Sequence, residues 1–247
     1  MSQPVAFIIG GGPRIGHAVA GALVKQGYRV ALGRRNIAAS AGLAGVTPVA
    51  VDVSSPPSVE TAFSEVEAKL GVTCRSIQRL LIADGDVTTA AALTFPPEQG
   101  DPFSVEPDAF ARDTAVNVTS AYAALFHATR AWKKQREAGV SGAGGVFIAT
   151  GNVTPFYPNP FATTLGAGKA ALVHLVQLAA QEYKDAGDRF YFASQVTEEG
   201  NPVRYEGVEA EAHGQVYAEL IKGEVGKGDW DVRFAVGKDG SVSYQKS

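Results

Sequence analysis

Val5-Ala6-Phe7-Ile8-Ile9 runs directly into Gly10-Gly11-Gly12-Pro13-Arg14-Ile15-Gly16, and Ile15, Val19, Ala22 and Leu23 then recur at helical spacing. This order reads as a buried strand, a glycine loop and a helix. The first helical turn carries unpaired N–H groups and a positive dipole end, and a loop free of Cβ atoms lets a pyrophosphate approach them. Because the motif occupies the first β-to-α turn of the chain, it matches the position that dinucleotide binding requires.

Apolar runs at Val5–Ile9, Arg29–Leu32, Thr47–Val51, Leu80–Ala83, Val146–Ala149, Phe190–Ala193 and Val232–Val236 read as strands. Helical patterns fall at Ile15–Gln26, Ser58–Leu70, Asp108–Glu137, Thr164–Asp185 and Val208–Ile221. Alternation of this kind predicts an α/β fold, a doubly wound and mostly parallel seven-stranded sheet covered by helices on both faces. At 247 residues, 45% of them hydrophobic, the chain is expected to form a single dinucleotide-binding domain over 1–247. Proline breaks Asp84–Pro107 into a long loop, and Asp239-Gly240 marks a turn between Val232–Val236 and Ser241–Tyr244.

Charge and composition narrow the partners. Twenty-two basic residues against 25 acidic ones give a net charge of −3, which supplies no field for gripping nucleic acid. No apolar run reaches the roughly 20 residues that span a bilayer, so no membrane partner is expected. Cys74 has no cysteine to pair with, and a reducing cytoplasm is the expected setting. His17, His127, His174 and His213 lie on separate helical patterns without ligand-like spacing, so no metal site is expected.

Gly33-Arg34-Arg35 ends the second strand, where an acidic residue would bind the adenosine ribose of NAD. Arginine suits a 2′-phosphate instead, and Arg14 adds a cation within the glycine loop, so NADP(H) is the expected cofactor. As an isolated pair, Arg34 and Arg35 would read as solvated loop charges; their place opposite the glycine loop favours the phosphate.

These pieces together resemble the short-chain dehydrogenase/reductase family over nearly the whole chain. Gly10 and Gly16 are similar to the first and last glycines of its opening motif, with Gly12, Pro13, Arg14 and Ile15 between them, and Arg14 standing where its middle glycine would be. The resemblance implies adenine contacts from Asp52 and Val53, and a loop after the fourth strand in which Ala83-Asp84-Gly85 replaces Asn-Ala-Gly. It further implies an active-site asparagine at Asn117, a lysine gripping the nicotinamide ribose at Lys169, and an apolar contact to the carboxamide from Val196. The family's proton-donating tyrosine falls at Leu165, and its serine falls in the neighbourhood of Ala149-Thr150-Gly151-Asn152. Tyr157, in the loop after the fifth strand, is either a replacement donor or an aromatic packed on a proline loop.

Without that tyrosine, reduction of a carbonyl to an alkoxide lacks its general acid, whereas hydride transfer to an iminium or a conjugated acceptor needs little beyond an oriented NADPH. The expected function is an atypical NADP(H)-dependent oxidoreductase acting on a small organic substrate. A non-catalytic NADP(H)-binding redox sensor or partner subunit is the alternative, and a non-redox enzyme such as an isomerase a weaker one. The family precedent also implies a homodimer or homotetramer packed through the fourth and fifth helices, with Ala121, Ala124, Leu125 and Ala128 on one and Ala170, Val173 and Leu178 on the other; the same residues would equally serve to cover the sheet.

Overall fold

The computed structural model describes residues 3–37, 43–70, 77–82, 92–139, 144–226 and 228–245. Its strands are β1 (Val5–Ile9), β2 (Arg29–Arg34), β3 (Val46–Ala50), β4 (Ile77–Ile82), β5 (Val146–Thr150), β6 (Arg189–Val196), β7 (Asp231–Val236) and β8 (Val242–Gln245). The helices are α1 (Ile15–Lys25), α2 (Pro56–Lys69), α3 (Pro107–Thr114), α4 (Ser120–Glu137), α5 (Thr163–Glu182) and α6 (Ala210–Lys222). All eight strands form one sheet in the order β3-β2-β1-β4-β5-β6-β7-β8. Every neighbour is parallel except β7 and β8, which pair antiparallel from Arg233↔Gln245 to Val236↔Val242.

The expected doubly wound sheet is therefore present, with eight strands in place of seven. The eighth follows the Asp239-Gly240 turn, where the Asp239 carboxylate accepts from the Ser241 backbone and hydroxyl and Gly240 takes a positive φ of 80°. Short edge strands such as this one, largely exposed to solvent, carry little apolar signal.

Strands alternate their side chains between two cores. Val5, Phe7 and Ile9 of β1 pack with Val59, Phe63, Ala124, Trp132 and Val176 from α2, α4 and α5 on one face. Ala6 and Ile8 pack with Val19, Leu23, Val216 and Leu220 from α1 and α6 on the other. Burial on both faces is what a parallel sheet demands, and it explains why β1 reads as an unbroken apolar run. Among the described residues, no helix is long and apolar enough to cross a membrane.

A buried polar staple closes the end of the sheet opposite the glycine loop. The Asp188 carboxylate accepts both bonds from Arg136 Nη1, at 2.8 and 2.9 Å, and a third from the Gly145 backbone at 2.8 Å. Trp132 lies so close over Gly145 that a Cβ there would meet its ring at 1.9 Å. Burial raises the Asp188 carboxyl above the usual carboxylate range despite the arginine, so the staple orders this corner without a large net Coulombic gain. Asp188→Ala leaves Arg136 and the Gly145 N–H without their acceptor. It is expected to lower the unfolding free energy by about 2 kcal/mol, read from urea denaturation; a loss of a few tenths would show that water replaces the carboxylate there.

The single helix expected over Asp108–Glu137 is instead interrupted. Between α3 and α4 lies a π-helical turn, Ala115–Thr119, which carries Asn117 at its centre. The Asn117 side chain pairs with the backbone of Ala92, accepting from its N–H and donating to its carbonyl, both at 2.8 Å. Gly168 of α5 approaches so closely that a methyl group on it would sit 2.5 Å from Asn117 Cβ. Such turns concentrate at functional positions because they re-aim one side chain without ending the helix.

Candidate functional site

The strand order reverses direction between β1 and β4, and ligands of open α/β sheets bind at the carboxyl ends of the strands beside such a reversal. The loops gathered at this edge follow β1, β2, β3, β5 and β6, and they hold most of the residues singled out from sequence.

After β1, Gly10 adopts φ 86° and both Gly10 and Gly11 donate to the Gly33 carbonyl, fastening the loop to β2. A Cβ on Gly16 would stand 2.7 Å from Gly11 Cα, so only glycine permits this crossing of loop and helix. No side chain caps α1, and its first turn holds no acid. An uncapped positive helix end beside a glycine loop is suited to a phosphate. Gly12 and Ile15 are buried here, while Pro13 is exposed.

Arg34 ends β2 with Nε and Nη1 buried and without a hydrogen-bond partner among the described residues. Its charge adds to burial in holding the His17 imidazole below its usual pKa, which places it beside α1. Arg35 lies near Asp52, whose carboxyl is lowered mainly by the Ser54 hydroxyl and backbone and further by Arg35. Asp52 Oδ1 accepts from Ser54 at 2.7 and 3.0 Å. Val53 is buried in the core beneath it.

Arg14 departs from the expectation of a phosphate ligand grouped with Arg34 and Arg35. Its Nη2 donates to the carbonyls of Val208 (2.7 Å) and Tyr205 (3.1 Å), and its guanidinium carbon lies 4.4 Å from the Tyr205 ring centroid. The side chain therefore fastens the glycine loop to the segment that follows β6. Gln195 supports the same segment, donating to Gly207 O and accepting from Glu209 N.

Lys169 is buried on α5, and its Nζ donates to the Thr150 carbonyl at 2.9 Å. Desolvation pulls its ammonium down to about 7. Behind Thr150, the buried Tyr217 hydroxyl donates to Thr150 Oγ1 at 2.6 Å, and burial raises that phenol well above its usual range. Asn152 Oδ1 accepts from the Thr154 backbone at 3.1 Å and from its hydroxyl.

A cavity of about 400 Å³ opens between these loops. Leu93, Phe95, Val153, Phe161 and Leu165 provide apolar wall, and Arg14, Thr150, Asn152, Gln195, Tyr205 and His213 supply polar groups. Of the sequence candidates, Arg14 and Ile15 line it, and Lys169 meets it through Thr150. Asn117 sits behind α5 and positions both Ala92 and Gly168. Val196 is turned into a small cluster with Val153 and Ala235, and its neighbour Gln195 takes the place on the cavity wall. Tyr157 is a correction. Its side chain is 46% exposed and off the cavity lining, because Phe156 and Tyr157 donate their backbone N–H groups to Val153 and form a turn on the surface. Ala83 and Gly85 lie outside the described residues. Sequence reasoning missed His213, Gln195 and Tyr205, which reach the cavity through the loop after β6 and through α6.

A family model described as short chain dehydrogenase matches residues 4–191. The short chain dehydrogenase/reductase dmxR12 of Cryptosporiopsis sp. (strain 8999) is 32% identical over 250 residues, covering 99% of this chain and 96% of the relative. Similar solved structures include a short-chain type dehydrogenase/reductase from Mycobacterium marinum, at 21% identity and a TM-score of 0.75, covering 95% of this chain and 93% of that one. A metagenomic short-chain oxidoreductase in complex with NADP is also similar, at 21% identity and a TM-score of 0.71, covering 89% and 90%.

Proposed function

This chain belongs to the short-chain dehydrogenase family of oxidoreductases, and from that premise we propose an NADP(H)-dependent member that moves hydride to or from a small organic substrate, with Leu165 in place of the proton-donating tyrosine. The observation that carries the cofactor reading is Arg34: two buried guanidinium nitrogens without an acceptor at the end of β2 fit a 2′-phosphate, with Arg35 beside it. The glycine loop and the uncapped start of α1 suit the pyrophosphate, and Lys169 the nicotinamide ribose hydroxyls. When bound, NADPH supplies the hydride.

The chain's own residues then decide which acceptor is served. Leu165 lines the cavity four residues before Lys169 and has no proton to exchange at a substrate oxygen. Arg14 places a positive charge on the wall, which disfavours an iminium cation and favours a neutral conjugated acceptor whose proton arrives later from solvent. Apolar walls exclude water and orient such a molecule.

The same family reading supports a dimer through α4 and α5. Ala121, Ala124 and Ala128 face the sheet, and the exposed outer face is formed by Tyr122, Phe126 and Leu178.

The test is NADPH oxidation against a panel of enones and ketones. Enones are expected to be consumed and simple ketones poorly. Leu165→Tyr is expected to raise ketone reduction at least tenfold, since a placed general acid contributes roughly 10²- to 10⁴-fold. NADPH binding without oxidation by any acceptor would favour the non-catalytic reading, and no NADPH binding would defeat both.

A further inference from the structure

His213 is 2% exposed and yet lines the cavity. Its Nδ1 lies 2.7 Å from the Glu209 carbonyl oxygen. A carbonyl only accepts, so Nδ1 carries the ring proton and Nε2 is left with its lone pair. The ring is held edge-on against Phe234 (centroids 4.9 Å apart, planes at 82°) and Tyr217 (5.8 Å, 73°), which fixes its orientation. Burial, with Arg14 nearby, lowers the imidazole to about 4, so at neutral pH the ring stays uncharged and Nε2 stays an acceptor.

Nε2 has no hydrogen-bond partner among the described residues. It is also absent from the sealed, unpartnered atoms that include His17 Nε2, so it borders the cavity rather than the core. A buried acceptor without a donor is costly, and such groups are normally satisfied by a ligand or by water.

Resting on the reading of this cavity as the substrate site, we propose that His213 is a specificity-determining residue whose Nε2 accepts a hydrogen bond from a hydroxyl group on an otherwise apolar substrate. The walls around it are those of Leu93, Phe95, Phe161 and Leu165, so the substrate is a largely hydrophobic molecule that presents this hydroxyl toward α6. A site built to accept a donor rejects the capped analogue far more strongly than a hydrophobic pocket distinguishes two shapes.

The experiment uses 4-ethylphenol and its capped counterpart 4-ethylanisole as probes, titrated into the full chain by calorimetry. The phenol is expected to bind at least fivefold more tightly than the ether. His213→Phe keeps the ring shape and removes Nε2; it is expected to weaken the phenol at least fivefold and to leave the ether within twofold. Equal weakening of both probes, or no preference in the unsubstituted chain, would overturn the inference. Should the variant not fold, the ¹⁵N resonance of His213 Nε2 in the unsubstituted chain carries the test: it is expected to move with the phenol and not with the ether, and an unmoved resonance overturns the inference. NADPH binding is measured separately. Its absence alongside intact phenol preference would defeat the oxidoreductase reading and leave the His213 contact standing.

Discussion

Replacing Arg34 and Arg35 together by alanine is expected to weaken NADPH binding by about 100-fold or more and NADH binding by less than threefold. Charge-assisted hydrogen bonds to an anion are worth about 1.5–3 kcal/mol each, and Arg34 holds two buried nitrogens with no competing acceptor among the described residues. Nothing within the fold is lost when that side chain goes, so folding stability is expected to hold or rise. Binding is read from the fluorescence of the reduced cofactor, with thermal unfolding as the control. Equal losses for the two cofactors would remove the 2′-phosphate assignment, and the singly substituted Arg34→Ala is expected to carry most of the effect. Arg14→Ala is set apart from this pair, because its guanidinium is occupied by the Tyr205 and Val208 carbonyls.

The second large effect concerns Lys169 and pH. Burial brings its ammonium from 10.5 down to about 7 in the folded chain. Between these values the unfolded chain holds a proton that the folded chain lacks, so the unfolding free energy rises with pH across that window. Below about 7 both states are protonated and the contribution is flat. The expected slope is about 1.4 kcal/mol per pH unit, or roughly 2–3 kcal/mol gained between pH 7 and 9. The window closes near 10, where the unfolded chain's tyrosines ionise while the buried Tyr217 phenol remains protonated. Urea denaturation at pH 7, 8 and 9 reads the slope, and Lys169→Met is expected to flatten it. A slope that survives the substitution would assign it to another group.

Local signals carried much of this site into the sequence. The glycine loop, Asn117 and Lys169 are each flanked by the strand or helix that positions them, and every strand buried on both faces announced itself as an apolar run. What escaped is built from contacts between distant segments. Arg14 meets Val208 across 194 residues, and no local pattern marks that pairing. His213 sits on an ordinary amphipathic helix, and its importance comes from the carbonyl four residues earlier and from the packing of α6 against α1. The π-turn at Ala115–Thr119 was invisible because α3 and α4 read as one continuous helical pattern on either side of it. Tyr157 misled for the opposite reason: its place in the chain was right, but the turn at Val153 points it outward.

That π-turn also sets where the chain tolerates insertion and deletion. A helix advances about 100° per residue. Asp113 and Asn117 are buried ahead of or within the turn, and Ala121, Ala124, Ala128 and Trp132 form the buried stripe after it. Removing one residue from 115–119 would restore regular winding and rotate that whole stripe by about 100°, carrying Trp132 away from Gly145 and the small residues away from the sheet. The segment 95–104, largely exposed and without helix or strand, can change length at little cost. Related chains aligned to this one should therefore vary in length at 95–104 and keep a fixed residue count from Asn117 to Trp132.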